Sequence, residues 1–200
     1  WKHKKICKPL FSIKLWFDRY ATDTLYRLKT FSQLKTNTHY AIIPTDSRTA
    51  DIYKEVGKRN KKFADILSKQ KIRGIFTSPP YVGQIDYHEQ HAYSYNLLGF
   101  KRKDDLEIGP LYKGQGLEAR QSYTQGIADV LNNCKQYLKT DFDIFLVAND
   151  KYNLYPEIAE KAGVKIVNFL QPTSPNVPAR TFIAEFFVKN RGKNRRLGVN

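Results

Sequence analysis

Apolar and polar residues follow two kinds of pattern along this chain, one with helical spacing and one of short apolar runs. Apolar residues three or four positions apart predict helices at 11–28, 49–57, 61–69, 85–98, 119–138 and 154–162. Short apolar runs predict strands at 40–43, 72–76, 142–148, 164–170 and 181–188. The run at 142–148 is nearly continuous, which is typical of a strand buried on both faces of a parallel sheet. The alternation predicts an α/β fold in which helices flank a mostly parallel sheet.

The segment Thr-Ser-Pro-Pro-Tyr at 77–81 directly follows the predicted strand 72–76. It therefore forms a rigid turn at the carboxyl edge of the sheet, where open α/β folds bind ligands. The prolines fix φ and lack N–H donors, so nearby carbonyl groups stay free to accept hydrogen bonds. Ser78 adds an acceptor and Tyr81 adds a flat face, a combination that suits a planar ring carrying an amino group. The alternative is a Pro-Pro turn that only closes the strand, with Tyr81 packed as an ordinary aromatic residue.

The tetrapeptide Ser78-Pro79-Pro80-Tyr81 resembles the catalytic motif of the amino-methylating DNA methyltransferases. Its serine form is most similar to the branch that methylates cytosine N4, although the same geometry serves adenine N6. The resemblance implies a Rossmann-like fold, S-adenosylmethionine as cofactor and double-stranded DNA with one flipped base as substrate. It also implies a restriction-modification system, with a cognate restriction endonuclease as a partner. In this family the Ser78 hydroxyl and the Pro79 carbonyl would accept hydrogen bonds from the target amine, and Tyr81 would stack on the base.

Two further positions are assigned to the cofactor by the same resemblance. Asp46 follows the predicted strand 40–43 and resembles the family position that contacts the adenine, or nearby polar groups, of S-adenosylmethionine. Thr77, directly before the tetrapeptide, is assigned to the same site. The segment 45–48 is equally typical of the cap of a helix that starts near Thr49, so the role of Asp46 has two interpretations.

The remaining candidates would bind the nucleic acid. Asp86 and His88 follow the motif and are expected to line or close over the base pocket, with simple packing as the alternative. His88 and His91 form an i, i+3 pair, but no third ligand stands at the spacing that a metal site requires, so no metal is predicted. The basic cluster Lys101, Arg102 and Lys103 is a candidate phosphate contact or a solvated face. Arg180 resembles the basic residue that opens a late strand in these enzymes.

Composition agrees with a nucleic-acid partner. Lys and Arg number 34 against 19 Asp and Glu, so the formal net charge is +15, which attracts polyanions. A basic balance alone also fits ribosomal or membrane-surface proteins. Two cysteines, Cys7 and Cys134, form no disulfide framework, and a reducing cytoplasm is the simplest compartment. No apolar run approaches the length of a membrane span, and no signal peptide is visible.

The domain organisation is expected to have three parts: an N-terminal helical segment at 1–39, a partial catalytic core at 40–190 and a basic tail at 191–200. The Phe-x-Gly-x-Gly loop that wraps the cofactor in this family is not found in these residues. The order of motifs suggests that it lies before Trp1, and the lack of an initiator methionine suggests a longer protein. Two alternatives stay open: an RNA base amino-methyltransferase, and a truncated nucleic-acid-binding module without activity.

Overall fold

A computed structural model of the chain describes residues 12–170 and 181–187. By its internal contacts the chain divides between Tyr40 and Ala41 into two compact units. The first unit contains helix α1, Ile13–Leu34, which begins at the N-cap Ser12 and buries none of its side chains. The Ser12 hydroxyl accepts a hydrogen bond from the N–H of Leu15 at 3.3 Å. The helix predicted at 11–28 is thus confirmed over its described residues and continues to Leu34.

The second unit carries the other regular elements of the described residues. Its helices are α2 (Ile52–Arg59), α3 (Lys61–Gln70), α4 (Tyr87–Gln90), α5 (Ala92–Leu98), α6 (Leu117–Lys135) and α7 (Tyr155–Lys161). Its strands are β1 (Ile72–Thr77), β2 (Leu138–Asn149), β3 (Lys165–Leu170) and β4 (Thr181–Phe187). Short 3-10 turns at Asp104–Leu106 and Leu111–Lys113 interrupt the connection between α5 and α6.

The described strands form one sheet in the order β1-β2-β4-β3. β1 pairs parallel to β2, whereas β4 pairs antiparallel to both β2 and β3. Three strands therefore run in one direction, and β4 is inserted in reverse between two of them. This confirms the α/β class and shows that the sheet is mixed at β4. Because Thr77 pairs with Leu146, the carboxyl ends of the parallel strands β1 and β2 lie at the same edge of the sheet.

The core lies between β2 and the helices α6 and α7. Ile144, Leu146 and Ala148 alternate along β2 and are all fully buried. They belong to the same apolar cluster as Tyr123 and Ile127 of α6, which lie four positions apart on one helix face. The intervening residues of β2 are half-buried or exposed, so this strand is fully covered on one face only.

The prediction of a strand at 40–43 is wrong. This segment has no regular secondary structure, because Pro44 follows it and the N–H of Thr45 closes a turn onto the Ile43 carbonyl at 3.0 Å. Ile43 instead lines a cavity of about 140 Å³ beside Cys134 of α6. Asp46 consequently lies in a loop and does not follow a strand.

Three predicted helices have different limits in the structure. The helix predicted at 85–98 is broken at His91 into α4 and α5, and it ends as expected at Gly99, which has a left-handed φ of 66°. The helix predicted at 119–138 ends at Lys135 because Leu138 already belongs to β2. The helix predicted from Thr49 begins at Ile52, since Asp51 caps it. The remaining predicted strands and helices are found within a few residues of their predicted limits.

Candidate active site

The turn at 78–81 lies at the carboxyl end of β1, as the sequence predicts. Ser78 is exposed, Pro79 is buried, and Pro80 and Tyr81 are half-buried. Among the described residues, no donor is found for the Pro79 carbonyl or the Ser78 hydroxyl. The turn therefore combines an exposed hydroxyl group with a backbone carbonyl that has no donor among residues 12–170 and 181–187, next to the end of β2.

A buried tyrosine of α6 holds this turn, and a second buried tyrosine, on α7, contacts the first. The Tyr123 hydroxyl of α6 donates a hydrogen bond to the Pro80 carbonyl oxygen at 2.8 Å. The Tyr155 hydroxyl of α7 lies 2.9 Å from the Tyr123 hydroxyl. Only 3% of Tyr123 and 1% of Tyr155 is exposed. Burial raises the pKa of Tyr123 to about 12, and burial together with Tyr123 raises the pKa of Tyr155. Both hydroxyl groups therefore remain protonated near neutral pH.

The loop at 109–116 fixes the residues that follow the turn. The N–H of Gly83 donates to the Gly109 carbonyl at 2.9 Å, and the Gln115 side-chain amide donates to the Gly83 carbonyl at 2.9 Å. Gly83 has φ +60°, and a Cβ atom there would occupy the space of the Gly114 carbonyl. Glycine is required at position 83 both for its backbone conformation and for this close approach.

A small cleft lies between the turn and the end of β2. It encloses about 10 Å³. Its lining comes from the residues after the motif, the end of β2 and the residues after it, and the helices α6 and α7: Val82, Gln84, Tyr123, Asn149, Asp150, Lys151, Tyr152, Leu154 and Tyr155. The buried side-chain oxygen of Asn149 finds no hydrogen-bond partner among the described residues. This volume is enough for about one water molecule, so a nucleobase enters only if the cleft widens.

The candidate cofactor residues lie in different surroundings. Thr77 is half-buried at the end of β1, whereas both carboxylate oxygens of Asp46 accept hydrogen bonds from the Arg48 guanidinium at 2.7–3.1 Å. Arg48 also donates to the Leu106 carbonyl at 3.1 Å. The hydrogen bonds from Arg48 lower the pKa of Asp46. Among the described residues no hydrogen bond joins Asp46 to 77–81. Arg48 uses most of the acceptor capacity of the Asp46 carboxylate.

Asp86 and His88 contribute to local packing after the motif. Asp86 is half-buried, and its carboxylate accepts a hydrogen bond from the N–H of Tyr112 at 3.1 Å. The ring of His88 lies edge-on to Tyr95 with 5.1 Å between ring centroids. The buried Nδ1 atom of His88 has no hydrogen-bond partner within the described part of the chain. Both residues therefore have a structural role, and their contact with a base stays a prediction.

The basic cluster divides into two kinds of residue. Arg102 binds the carboxylates of Asp104 and Glu89, each at 2.8 Å. Lys101 and Lys103 are exposed, so their charges are the accessible ones. Arg180 lies outside the described residues.

Residues 12–170 and 181–187 contain no group of three His, Cys, Asp or Glu side chains arranged to hold a metal ion. None of the helices in these residues has the length and apolar character needed to cross a membrane.

Tyr123, Tyr155 and Asp150 were not predicted from the sequence. Each tyrosine occupies an ordinary core position of its helix, and nothing in the sequence indicates that its hydroxyl contacts the turn or the other tyrosine. Asp150 could have been predicted as a helix cap, because an acidic residue between a buried strand and a helix is typical of that role. Its carboxylate accepts from the N–H of Leu154 at 2.7 Å and from that of Tyr155 at 3.0 Å.

Comparison with known proteins gives one strong similarity. The chain is 50% identical over 167 residues to the type II methyltransferase M.MjaII of Methanocaldococcus jannaschii. The match covers 84% of this chain and 31% of that protein, so the chain spans about a third of the relative's length. No family model and no solved structure matches the chain. With the arrangement of β1–β4, the similarity confirms the Rossmann-like α/β fold, with a small sheet. It also agrees with the resemblance to methyltransferases.

Proposed function

We propose that this chain is part of a site-specific DNA methyltransferase that methylates the exocyclic amino group of a flipped base, with cytosine N4 favoured over adenine N6. The observation that carries the proposal is the exposed Ser78 in a Ser-Pro-Pro-Tyr turn at the carboxyl edge of the sheet. The similarity to a type II methyltransferase supports it independently. S-adenosylmethionine is the proposed methyl donor, and when bound it supplies an electrophilic methyl group.

Methylation of an aromatic amine requires hydrogen-bond acceptors around its N–H groups more than it requires a nucleophilic side chain of the protein. The nitrogen lone pair of an aromatic amine is delocalised into the ring, and acceptors near its N–H groups draw the nitrogen towards tetrahedral geometry. The Ser78 hydroxyl and the Pro79 carbonyl are the proposed acceptors, so geometry and electrostatics supply the catalysis. Cys134 lines a separate cavity, and burial raises the pKa of its thiol. A protonated thiol away from the turn is consistent with direct attack by the amine nitrogen on the methyl carbon, in which the N–C bond would form as the S–C bond breaks and the nitrogen would then lose a proton.

Tyr81 is the proposed stacking partner of the flipped base. Flipping costs a few kcal/mol, and stacking on an aromatic ring returns about 1–3 kcal/mol per base, so the ring offsets much of the cost. Because Pro79 is buried and the neighbouring cleft encloses about 10 Å³, the proposal requires this region to widen as the base enters.

Asp46 and Thr77 are the proposed cofactor contacts. The Asp46 carboxylate is held by Arg48, and Thr77 is half-buried at the strand end. In this proposal Asp46 and Thr77 contact the cofactor, and Ser78, Pro79 and Tyr81 contact the base.

Double-stranded DNA is the proposed partner. The net charge of +15 favours a polyanion, and the exposed Lys101 and Lys103 offer accessible charges for phosphate groups. A restriction endonuclease with the same recognition sequence is the proposed second partner, since the relative is named a type II methyltransferase.

The test is a methyl-transfer assay with the intact protein, labelled S-adenosylmethionine, and either mixed-sequence duplex DNA or structured RNA. The nucleic acid is then digested to nucleosides and the labelled product is identified. The expected product is N4-methylcytosine from duplex DNA, whereas N6-methyladenine would overturn the preference for cytosine. Label in RNA alone would favour the RNA enzyme. No transfer, with no binding of S-adenosylmethionine by calorimetry, would favour a binding module without activity.

A further inference from the structure

We infer that Tyr123 is a positioning residue for methyl transfer: by holding the Pro80 carbonyl, it aims the Ser78 and Pro79 acceptors and the Tyr81 ring at the target amine. The inference rests on the proposed function. It assigns a role to a residue of α6 that lies outside the motif in sequence and contacts it in space.

The hydrogen bond acts on the softest torsion that the two prolines leave in the turn, because ψ of Ser78 and ψ of Pro79 are each restricted by the proline that follows. Proline rings fix φ at 79 and 80, and the peptide bond between Pro80 and Tyr81 is planar. The orientation of that plane therefore depends on ψ of Pro80. The Tyr123 hydroxyl holds the Pro80 carbonyl at 2.8 Å, which fixes ψ and with it the direction in which the chain leaves towards Tyr81.

The direction of the hydrogen bonds follows from the donors that are present. A tyrosine hydroxyl has a single hydrogen, and the Tyr123 hydrogen is directed to the Pro80 carbonyl. The hydrogen bond of 2.9 Å between the two hydroxyl groups is therefore donated by Tyr155. The backbone of Tyr155 is itself held by the Asp150 carboxylate at 3.0 Å. Tyr123 is thus oriented from α7 as well as from its own helix.

The same contact limits which acceptors remain for the substrate. With the Pro80 carbonyl bound to Tyr123, the turn offers the Ser78 hydroxyl and the Pro79 carbonyl, and an exocyclic amine has two N–H groups. The numbers of donors and acceptors match. If the Pro80 carbonyl were released, the stiff segment at 78–80 would lose its anchor to α6. The Ser78 and Pro79 acceptors and the Tyr81 ring would then lose the fixed position that chemistry of this kind depends on.

The test compares Tyr123→Phe with Tyr137→Phe in the intact protein. Tyr137 is a matched control, because it is also buried, with 5% exposed, and its hydroxyl donates to the Ala50 carbonyl at 3.1 Å, outside the turn. Both variants lose one hydroxyl and its hydrogen bond to a backbone carbonyl, and Tyr123→Phe also loses the hydrogen bond with the Tyr155 hydroxyl. Thermal unfolding should therefore show a somewhat larger loss for Tyr123→Phe, and the kinetic comparison is made at a temperature where both variants are folded. Tyr123→Phe is expected to lower kcat about ten- to a hundredfold with KM for DNA nearly unchanged, whereas Tyr137→Phe should keep kcat.

The outcomes separate this inference from the proposed function. If the unmodified protein methylates DNA and the two variants have equal kcat, the positioning role is overturned and the function stands. If the unmodified protein does not transfer methyl groups, both fall. Should Tyr123→Phe fail to fold, Tyr155→Phe gives the decisive measurement, because it keeps the bond to Pro80 but removes the group that orients the Tyr123 hydroxyl. A smaller, kcat-selective loss supports the inference, and an unchanged kcat contradicts it.

Discussion

The carboxylate of Asp150 accepts a hydrogen bond from the backbone N–H of Tyr155 at 3.0 Å. Asp150 directly follows β2, and Tyr155 is the first residue of α7, so this contact joins the carboxyl edge of the sheet to the start of a helix. It also fixes the backbone of a tyrosine whose hydroxyl reaches Tyr123 beneath the turn at 78–81. The candidate site is therefore supported by a chain of contacts that runs from β2 through α7 to α6.

Asp150→Ala is expected to destabilise the protein by about 1–2 kcal/mol, because it leaves the first N–H groups of α7 without their acceptor. Asp150→Asn keeps an oxygen acceptor and should cost less. Urea unfolding of the two variants measures the difference, with Asp141→Ala, an exposed acidic residue of β2, as the control. A midpoint for Asp150→Ala equal to that of Asp141→Ala would contradict the capping role.

Gly83→Ala should destabilise the turn after the motif more than Gly99→Ala destabilises α5. Both glycines have positive φ, +60° and +66°, so both substitutions carry a conformational cost of about 1–2 kcal/mol. Only the Cβ at position 83 would collide with the Gly114 carbonyl, whereas nothing lies within 4 Å of the one at position 99. Thermal unfolding of the pair isolates the effect of the collision. Equal losses would show that the loop at 109–116 moves away without cost.

The Asp46–Arg48 pair should contribute stability that depends on pH. The hydrogen bonds from Arg48 lower the folded-state pKa of Asp46 below the ordinary value of 3.8. The contribution is therefore fully present above pH 3.8 and is lost as the pH falls through the lower, folded-state pKa. Its size is expected to be about 1 kcal/mol or less. Urea unfolding of the unmodified protein and of Asp46→Asn from neutral to acidic pH measures it, and parallel curves would contradict the effect.

Binding to duplex DNA should weaken steeply with salt, and Lys101 and Lys103 should contribute to that slope. Replacing both with alanine is expected to reduce the slope of log K against log salt by about two, one for each phosphate contact. Lys61→Ala with Lys62→Ala removes the same charge from exposed positions of α3 and serves as the control. Equal slopes for the two double variants would show that the cluster has no specific contact with phosphate groups.

The sequence alone predicted the parts of the fold that depend on local pattern. The apolar run before Thr77 became β1, and Gly99 ended α5 as expected. The prediction of a strand at 40–43 was wrong because a strand needs a neighbouring strand to pair with. The segment leads into Pro44 and a turn and is not part of the sheet. The mixed order of the sheet was also not predictable, since the position of β4 between β2 and β3 depends on pairing between distant segments.

The candidate site was predictable to a similar extent. The turn at 78–81 was found from residue types and its position after a strand. The contact from Tyr123 was not, because 43 positions separate the tyrosine from Pro80 and a core tyrosine carries no sign of its hydrogen-bond partner. For Arg102, the sequence showed a basic residue but not that Glu89 and Asp104 already bind it.

The most direct measurement of the central claim is single-turnover methyl transfer by Ser78→Ala in the intact protein, together with its affinity for duplex DNA. Ser68→Ala, an exposed serine of α3, is the matched control. The account predicts that Ser78→Ala loses methyl transfer while its affinity for DNA stays close to that of the control. Transfer at the rate of the unmodified protein would contradict it.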